Sequence, residues 1–125
     1  MNNIYKESTD KTPEVNFVFE KGLMEIKGRS IPENSLKFYE ELLEWVEKYA
    51  TNANLETNVN IQLEYFNTSS SKCLLDLFKK MENIGSTVNI NWYYEEDDED
   101  MLEAGEDYDA IINIPFKMIE VHELS

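Results

Sequence analysis

The sequence predicts an α/β fold, with a mixed, mainly parallel sheet and helices packed on it. Apolar and polar residues alternate over residues 59–66, as in a strand with one buried face, and apolar residues recur at helical spacing from residue 73 onward. A polar turn, residues 67–72, separates the two patterns. Because further strand and helix patterns alternate along the chain, right-handed parallel crossovers are expected, and the predicted order is ββαβαβ(α)β.

Residues 1–14 are polar, mixed in charge and without the apolar segment of a signal peptide, so we expect a mobile lead-in to a cytoplasmic protein. Residues 15–125 are then one domain. This domain opens with a predicted β-hairpin, since two alternating runs, residues 15–20 and 23–29, flank a Lys-Gly pair that is typical of a tight turn.

An amphipathic helix is predicted over residues 36–50, where apolar residues at helical spacing alternate with glutamates. Its apolar stripe begins at Leu36, and Asn34 or Ser35 is the expected N-cap. The strand pattern that follows a polar connection includes Tyr65 among its buried residues. The next helix is expected to begin near Cys73.

The last third of the chain combines strand patterns with dense negative charge. Residues 88–94 predict a strand that runs into six consecutive carboxylates, residues 95–100. Residues 97–107 predict a short third helix. Residues 111–121 predict a last strand, which Pro115 places at an edge or a bulge rather than at the centre of the sheet.

The charge balance excludes several classes of partner. Twenty-six acidic residues oppose eleven basic ones, which gives a net charge of −15 and repels nucleic acid and anionic membranes. The sequence also shows no membrane-spanning segment, so no membrane insertion is expected. The single cysteine, Cys73, excludes a disulfide within the chain and lies on an apolar helix stripe, so a buried thiol is expected.

The polar turn has two interpretations. Its hydroxyl and amide side chains suit a helix cap, because their oxygens accept hydrogen bonds from free backbone N–H groups. The same N–H groups and the helix dipole would also stabilise a phosphate. Thr68 is therefore a candidate phosphoacceptor.

The acidic tract also has more than one interpretation: a docking surface for a basic partner, a magnesium site near a kinase's ATP, or a solvated charged loop. An alternative function is a metal-dependent hydrolase that uses Asp97, Asp98, Glu99 and Asp100. No nucleophile-elbow, phosphate-binding or dinucleotide-binding glycine motif is present, and His122 is the only histidine, so we expect no catalysis and no cofactor. The candidate contacts for a kinase or another partner are Asn67, Ser69, Ser70, Lys72, Tyr93, Glu95, Glu96, Asp97 and Asp98.

Three segments resemble the SiaC family of bacterial biofilm-regulatory phosphoproteins. They are Gly-Arg-Ser-x-Pro-Glu-Asn at residues 28–34, Tyr-Phe-Asn-Thr-Ser-Ser-x-Lys at residues 65–72, and the segment at residues 91–103, which begins Asn-Trp-Tyr-Tyr and runs through the acidic tract. The resemblance implies a fold similar to the STAS domains of anti-sigma-factor antagonists. It implies phosphorylation of Thr68 by a cognate serine/threonine kinase and dephosphorylation by a metal-dependent serine/threonine phosphatase. It also implies that the unphosphorylated form binds and activates a diguanylate cyclase, or a substitute client, in c-di-GMP signalling.

Overall fold

One six-stranded sheet, with its strands in the same order in space as along the chain, organises the computed structural model, which describes residues 1–124. The strands are β1 (Ile4–Lys6), β2 (Glu14–Val18), β3 (Leu23–Ser30), β4 (Glu56–Phe66), β5 (Thr87–Glu95) and β6 (Phe116–Val121). The helices are α1 (Ser35–Ala50), α2 (Thr68–Met81) and α3 (Glu99–Ile111). The pairs β1–β2 and β2–β3 are antiparallel and the other three pairs are parallel, which confirms the predicted mixed, mainly parallel sheet.

The three helices lie on one face of the sheet. Each parallel crossover advances by one strand in the same direction, so right-handed connections place α1, α2 and α3 on the same side. The core fills the space between this helical layer and the sheet. Among its largest fully buried side chains are Phe17, Ile26, Ile61 and Trp92 from the strands, and Tyr39, Leu42, Leu74 and Phe78 from the helices.

The opposite face of the sheet is polar, and its amide side chains bond to one another across the strands. Asn91 Nδ2 donates to Asn60 Oδ1 at 2.9 Å, and Asn60 Nδ2 donates to Glu25 Oε2 at 3.1 Å. A cross-strand ladder of this kind satisfies polar groups without a covering helix. This explains why the sheet is stable with helices on one side only.

The predicted hairpin of β2 and β3 is confirmed, with a short 3-10 turn, Phe19–Lys21, ahead of Gly22. Gly22 is left-handed, with φ of 59°. A Cβ at this position would lie 2.6 Å from the carbonyl oxygen of Glu56. Both the backbone angle and the close approach therefore require glycine here.

The sheet begins earlier than predicted, because the expected lead-in contains β1. Ile4 is buried and pairs with Phe17 of β2. The indole Nε1 of Trp45 also donates to the carbonyl oxygen of Asn2 at 2.7 Å. These contacts attach residues 2–6 to the domain and correct the predicted boundary at residue 15.

Helix α2 begins at Thr68, five residues before the predicted start near Cys73. Asn67 has extended backbone angles and caps the helix, so the hydroxyl residues after it belong to the first helical turns. The prediction was wrong because apolar spacing marks only the buried part of a helix, and these first turns carry small polar residues.

A bulge near the end of β4 reverses the predicted face of Tyr65. Gly28 pairs with Leu63, but the next residue of β3, Arg29, pairs with Tyr65, so β4 contains one extra residue. Tyr65 is consequently 53% exposed. Phe66 instead contacts the ring of Trp92 in the core.

The predictions for the helices and for the last strand are mostly confirmed. Asn34 caps α1, but Leu36 in its first turn is 76% exposed rather than part of the buried stripe. Asp98 caps α3, which the sequence predicts as a short third helix. β6 lies at the edge of the sheet, as predicted. It begins only at Phe116, because Ile111 still belongs to α3, so the predicted start of this strand at residue 111 was wrong. No helix within residues 1–124 has the length and apolar character needed to span a membrane.

Candidate functional site

The corner between β4 and α2 is held by the cap of α2. The side-chain oxygen of Asn67 accepts from the backbone N–H of Ser70 at 2.9 Å and from the Ser69 hydroxyl at 3.2 Å. The backbone N–H of Asn67 donates to the carbonyl oxygen of Ser30 at 3.1 Å. The capping interpretation is therefore correct for Asn67. The Thr68 side chain takes no part in the cap.

Behind the corner lies a buried chain of hydroxyl groups. Ser30 Oγ donates to Ser70 Oγ at 2.8 Å, and Ser70 Oγ donates to the Ser30 carbonyl oxygen at 3.0 Å. Tyr39 OH lies 2.6 Å from Ser30 Oγ and must donate to it, because the single proton of Ser30 is already used. Burial raises the pKa of Tyr39 to about 12, which keeps this donor protonated at neutral pH. The network ties the start of α2 to β3 and α1.

The other two serines of the corner are also hydrogen bonded. Ser69 Oγ lies 2.7 Å from Ser35 Oγ, which joins the N-termini of α2 and α1. Tyr108 OH donates to the Ser71 carbonyl oxygen at 2.8 Å and accepts from the Ser71 hydroxyl at 3.1 Å, which joins α2 to α3. Burial raises the pKa of Tyr108, against the opposing effect of its bond to Ser71.

Thr68 differs from all three serines. Its side chain is exposed and makes no hydrogen bond to any other residue of the described chain. It is the first residue of α2, at the carboxyl end of a parallel strand. Lys72 follows at i+4 on the same helix, is exposed, and has no ion pair within residues 1–124. The corner therefore presents one unengaged hydroxyl, with a cation one helical turn away.

The structure corrects one predicted contact residue. Ser70 is 0% exposed and belongs to the hydroxyl network, so it is unable to touch a partner while α2 is intact. Ser69 is exposed and Asn67 is half-buried, although both also serve the cap. Tyr93 is half-buried and lies on the polar face of the sheet, opposite Trp92 and the helices.

The acidic tract is divided between a strand end and a helix start. Glu95 ends β5 and accepts from the Leu124 backbone N–H at 3.0 Å. Glu96 lies 3.0 Å from His122 Nδ1, and Asp98 accepts from the Met101 backbone N–H at 3.0 Å. Asp97 is exposed. The tract lies at the same edge of the sheet as Thr68, since both follow the carboxyl ends of parallel strands.

The residues assigned to a metal-dependent hydrolase do not converge. Within residues 1–124 no group of three His, Cys, Asp or Glu side chains has an arrangement suited to a metal ion. Asp98 is committed to the cap of α3, and Glu99 and Asp100 lie in its first turn, where carboxylates stabilise a helix. The geometry gives this alternative no support.

Sequence reasoning missed the residues that build the corner from a distance, namely Ser30, Ser35, Tyr39 and Tyr108. Ser30 and Ser70 are 40 residues apart in the chain, and no periodic pattern joins them. The one available indication was Ser30 itself, a hydroxyl that directly follows the predicted strand of residues 23–29 and belongs to the Gly-Arg-Ser segment.

A small α/β domain that offers one free hydroxyl at a helix start, beside a supporting hydroxyl network, has the form of a regulatory phosphoprotein. The comparison with protein families agrees. The chain belongs to the SiaC family of regulatory phosphoproteins, whose family model matches residues 6–121.

Relatives of known structure share the fold along their whole length. SiaC of Pseudomonas aeruginosa is 25% identical and superposes with a TM-score of 0.86 over 97% of this chain and 100% of its own. SiaC in the crystal structure of the diguanylate cyclase SiaD with its activator SiaC, from the same organism, is 25% identical and superposes with a TM-score of 0.86 over 94% of this chain and 99% of its own.

A sequence relative agrees with these structures. An uncharacterized protein of Pseudomonas aeruginosa strain UCBPP-PA14 is 27% identical over 98% of this chain and 99% of its own.

Proposed function

We propose that this protein is a non-enzymatic switch whose phosphorylation site is Thr68. The unphosphorylated form binds and activates a diguanylate cyclase, and so controls c-di-GMP signalling and biofilm formation. A cognate serine/threonine kinase adds the phosphate, and a metal-dependent serine/threonine phosphatase removes it. The observation that supports this assignment best is that Thr68 is exposed and makes no side-chain hydrogen bond within residues 1–124, whereas its three serine neighbours are all engaged.

The environment of Thr68 suits a phosphate. Phosphorylation adds about −1.5 to −2 charges at neutral pH. At the first residue of α2 such a charge meets the free N–H groups and the positive end of the helix dipole, worth about 0.3–1 kcal/mol for an exposed group. Lys72 at i+4 supplies a cation for a charge-assisted hydrogen bond. The modified corner would therefore keep its helical structure.

The cyclase is proposed from the relative. SiaC of Pseudomonas aeruginosa forms a complex with the diguanylate cyclase SiaD as its activator, and its fold matches this chain over nearly its full length. We therefore propose the same kind of partner for this chain. A kinase that consumes ATP and a cyclase that consumes GTP both need a nucleotide pool, so we place the switch in the cytoplasm.

The assignment of Thr68 is tested with the serine/threonine kinases of the source genome. The purified chain is incubated with each kinase and ATP, and its intact mass and fragment masses are recorded. We expect one phosphate on the wild type and on the Ser69→Ala control, and none on Thr68→Ala. Full phosphorylation of Thr68→Ala would refute the site.

Two activity assays on the same purified protein distinguish the proposed switch from the metal-dependent hydrolase. Turnover of a phosphoester in the presence of magnesium, lost in Asp97→Asn, would favour catalysis by the acidic tract over a switch. Stimulation of a diguanylate cyclase by a chain that turns over no phosphoester supports the switch.

A further inference from the structure

The buried chain of hydroxyl groups behind Thr68 ends at Tyr39 of α1, which is 0% exposed. We propose that Tyr39 is a positioning residue for the phosphorylation of Thr68. It acts through Ser30 and Ser70, and it holds the first turn of α2 in the geometry that presents the Thr68 hydroxyl to a kinase. This inference rests on the proposed function and adds a buried residue to it.

The chain of hydroxyl groups has a fixed direction, and Tyr39 stands at its start. Each hydroxyl group has a single proton to donate. Ser70 Oγ donates to the Ser30 carbonyl oxygen at 3.0 Å, and Ser30 Oγ donates to Ser70 Oγ at 2.8 Å. The Tyr39 hydroxyl, 2.6 Å from Ser30 Oγ, is therefore the donor to Ser30, and no other side chain donates to this oxygen within residues 1–124. Each later bond thus depends on the orientation that Tyr39 gives to Ser30.

The chain meets the cap of α2 at the carbonyl oxygen of Ser30. This oxygen accepts from Ser70 Oγ and, at 3.1 Å, from the backbone N–H of Asn67. The side chain of Asn67 in turn accepts from the backbone N–H of Ser70 at 2.9 Å. Asn67 and Ser70 are therefore both attached to Ser30. Thr68 lies between them in the chain, so its backbone is held on both sides, while its side chain makes no hydrogen bond within residues 1–124.

Phosphoryl transfer depends strongly on the position of the accepting hydroxyl. Thr68 Oγ forms a bond to the γ-phosphorus of ATP, the bond from that phosphorus to the bridging oxygen breaks, ADP leaves, and the hydroxyl proton passes to a base of the kinase. The attacking and leaving oxygens lie roughly in line, and a misplacement of about 1 Å can slow an enzyme reaction about a hundredfold. A hydroxyl on an anchored turn loses less entropy on reaching this geometry than one on a mobile turn.

Tyr39→Phe removes one buried oxygen and changes no exposed atom. Ser30 Oγ then lacks its donor, and a buried polar group without a partner is unfavourable. Ser30 and Ser70 are expected to change rotamer or to admit water, which loosens the attachment of the first turn of α2. Because the surface that a kinase recognises is unchanged, we expect kcat to fall and KM to stay near its wild-type value.

Tyr49→Phe is the matched control, because Tyr49 is a second buried tyrosine of the same helix. It is also 0% exposed, and its hydroxyl lies 2.7 Å from Thr57 Oγ1, so the substitution deletes the same kind of bond. The Tyr49 hydroxyl also accepts from the Asn54 backbone N–H at 3.3 Å. Thr57 is the second residue of β4, whereas Thr68 follows the other end of that strand. The control therefore loses at least as many hydrogen bonds, at the opposite end of the sheet.

The test uses the kinase of the source genome that phosphorylates wild type on Thr68, and measures kcat and KM for wild type and for each variant. We expect kcat of Tyr39→Phe to fall by about tenfold, less than a misplacement of about 1 Å would cause. Its KM should change by less than about twofold, and Tyr49→Phe should match wild type in both constants. Without kinase, hydrogen exchange of the Ser70 and Ser71 amides, which bond to Asn67, should be faster in Tyr39→Phe than in Tyr49→Phe.

Ser70→Ala removes the other end of the hydroxyl chain and places a strong helix former in α2. It should lower kcat as Tyr39→Phe does. The double variant should lower kcat no further than either substitution alone, because both break the same chain. Ser70→Ala also replaces Tyr39→Phe in the kinetic test if that variant does not fold.

The outcomes separate this inference from the proposed function. If Tyr39→Phe has the kcat of wild type, or if Tyr49→Phe loses as much, Tyr39 has no positioning role and the switch stands. A higher KM at unchanged kcat, or additive losses in the double variant, would also refute the positioning role. If no serine/threonine kinase of the genome phosphorylates wild type on Thr68, the proposed function and this inference are both refuted.

Discussion

Thr68 and Ser70 lie two residues apart in the first turn of α2, and their surroundings assign them opposite roles. Ser70 is fully buried and bonded twice to Ser30, so it stabilises the corner. Thr68 is exposed and unbonded within residues 1–124, so its hydroxyl is available to a kinase. Both side chains carry a hydroxyl group, so composition alone does not distinguish them. Their difference in burial does.

Lys72 is expected to assist phosphorylation. It is exposed, unpaired in the described chain, and one turn from Thr68, where it attracts the phosphates of the kinase's ATP. Lys72→Glu should therefore slow phosphorylation in a kinetic assay. Its free energy of unfolding should stay within about 0.5 kcal/mol of wild type, as is usual for exposed positions.

Lys79 provides a matched control for this experiment, since it is also exposed on α2 but lies about two turns further from Thr68 than Lys72 does. Lys79→Glu makes the same change in net charge and should leave the phosphorylation rate near that of wild type. Equal rates for the two variants would show that Lys72 has no local role.

At the scale of whole elements, the sequence predicted most of the helices and strands whose buried faces form the core. The alternation in β5 and the helical spacing in α1 and α2 correspond to residues that are buried, such as Trp92, Leu42 and Leu77. A buried face imposes a period on the sequence, and a period can be recognised. For the same reason the order of the elements after the hairpin was predictable.

The missed features leave no such period. β1 has three residues, too few to show alternation, and it is recruited by contacts with distant parts of the chain. The bulge in β4 shifts the register by one residue and exposes Tyr65, although the sequence alternates without a break. At the candidate site, the position of Thr68 at a strand-to-helix corner made it a candidate phosphoacceptor, and this stays a prediction. The bonds of Ser70 to Ser30 and of Ser30 to Tyr39 depend on tertiary structure and could not be predicted.

The packing of α3 on the sheet depends on Gly105. A Cβ there would lie 2.5 Å and 2.7 Å from two atoms of the fully buried Trp92 ring and 2.9 Å from Met118 Sδ. Gly105→Ala should destabilise the protein, because overpacking costs about 1–3 kcal/mol and outweighs a gain in helix propensity of about 1 kcal/mol. Urea denaturation measures the net loss.

Gly85→Ala is the control for this substitution. A Cβ at Gly85 would meet no heavy atom within 4 Å beyond those of its two chain neighbours, and the residue does not have a positive φ. The control should be neutral or slightly stabilised, because alanine reduces the entropy of the unfolded chain. If both alanine variants have the same unfolding midpoint, a Cβ close to Trp92 does not lower the stability of the protein, and the prediction is wrong.

For the molecule as a whole, the fold places its candidate functional features at one edge of the sheet. The N-termini of α2 and α3 both follow the carboxyl ends of parallel strands, which places Thr68 and the acidic tract at that edge. The chain already carries a net charge of −15, so a phosphate changes the total by a small fraction. We therefore expect the proposed switch to act through the position of the phosphate rather than through net charge.

We expect phosphorylation of Thr68 to abolish cyclase binding without unfolding the domain. Because Thr68 is exposed, its phosphate stays hydrated in the free protein, and the helix dipole contributes about 0.3–1 kcal/mol against repulsion from nearby carboxylates. The melting temperature should therefore change by less than about 5 °C. A partner that covers Thr68 must instead desolvate or displace the phosphate, which costs several kcal/mol, on the order of a hundredfold in affinity.

Calorimetry on the fully phosphorylated chain measures both quantities, the melting temperature by scanning and the cyclase affinity by titration. Thr68→Val, treated with kinase and ATP in the same way, is the control, because it keeps the shape of the side chain and has no hydroxyl to accept a phosphate. It should bind the cyclase before and after treatment. Equal cyclase affinity of the phosphorylated and unphosphorylated wild type would contradict the switch. A fall in melting temperature well beyond about 5 °C would show instead that the phosphate acts by disrupting the start of α2.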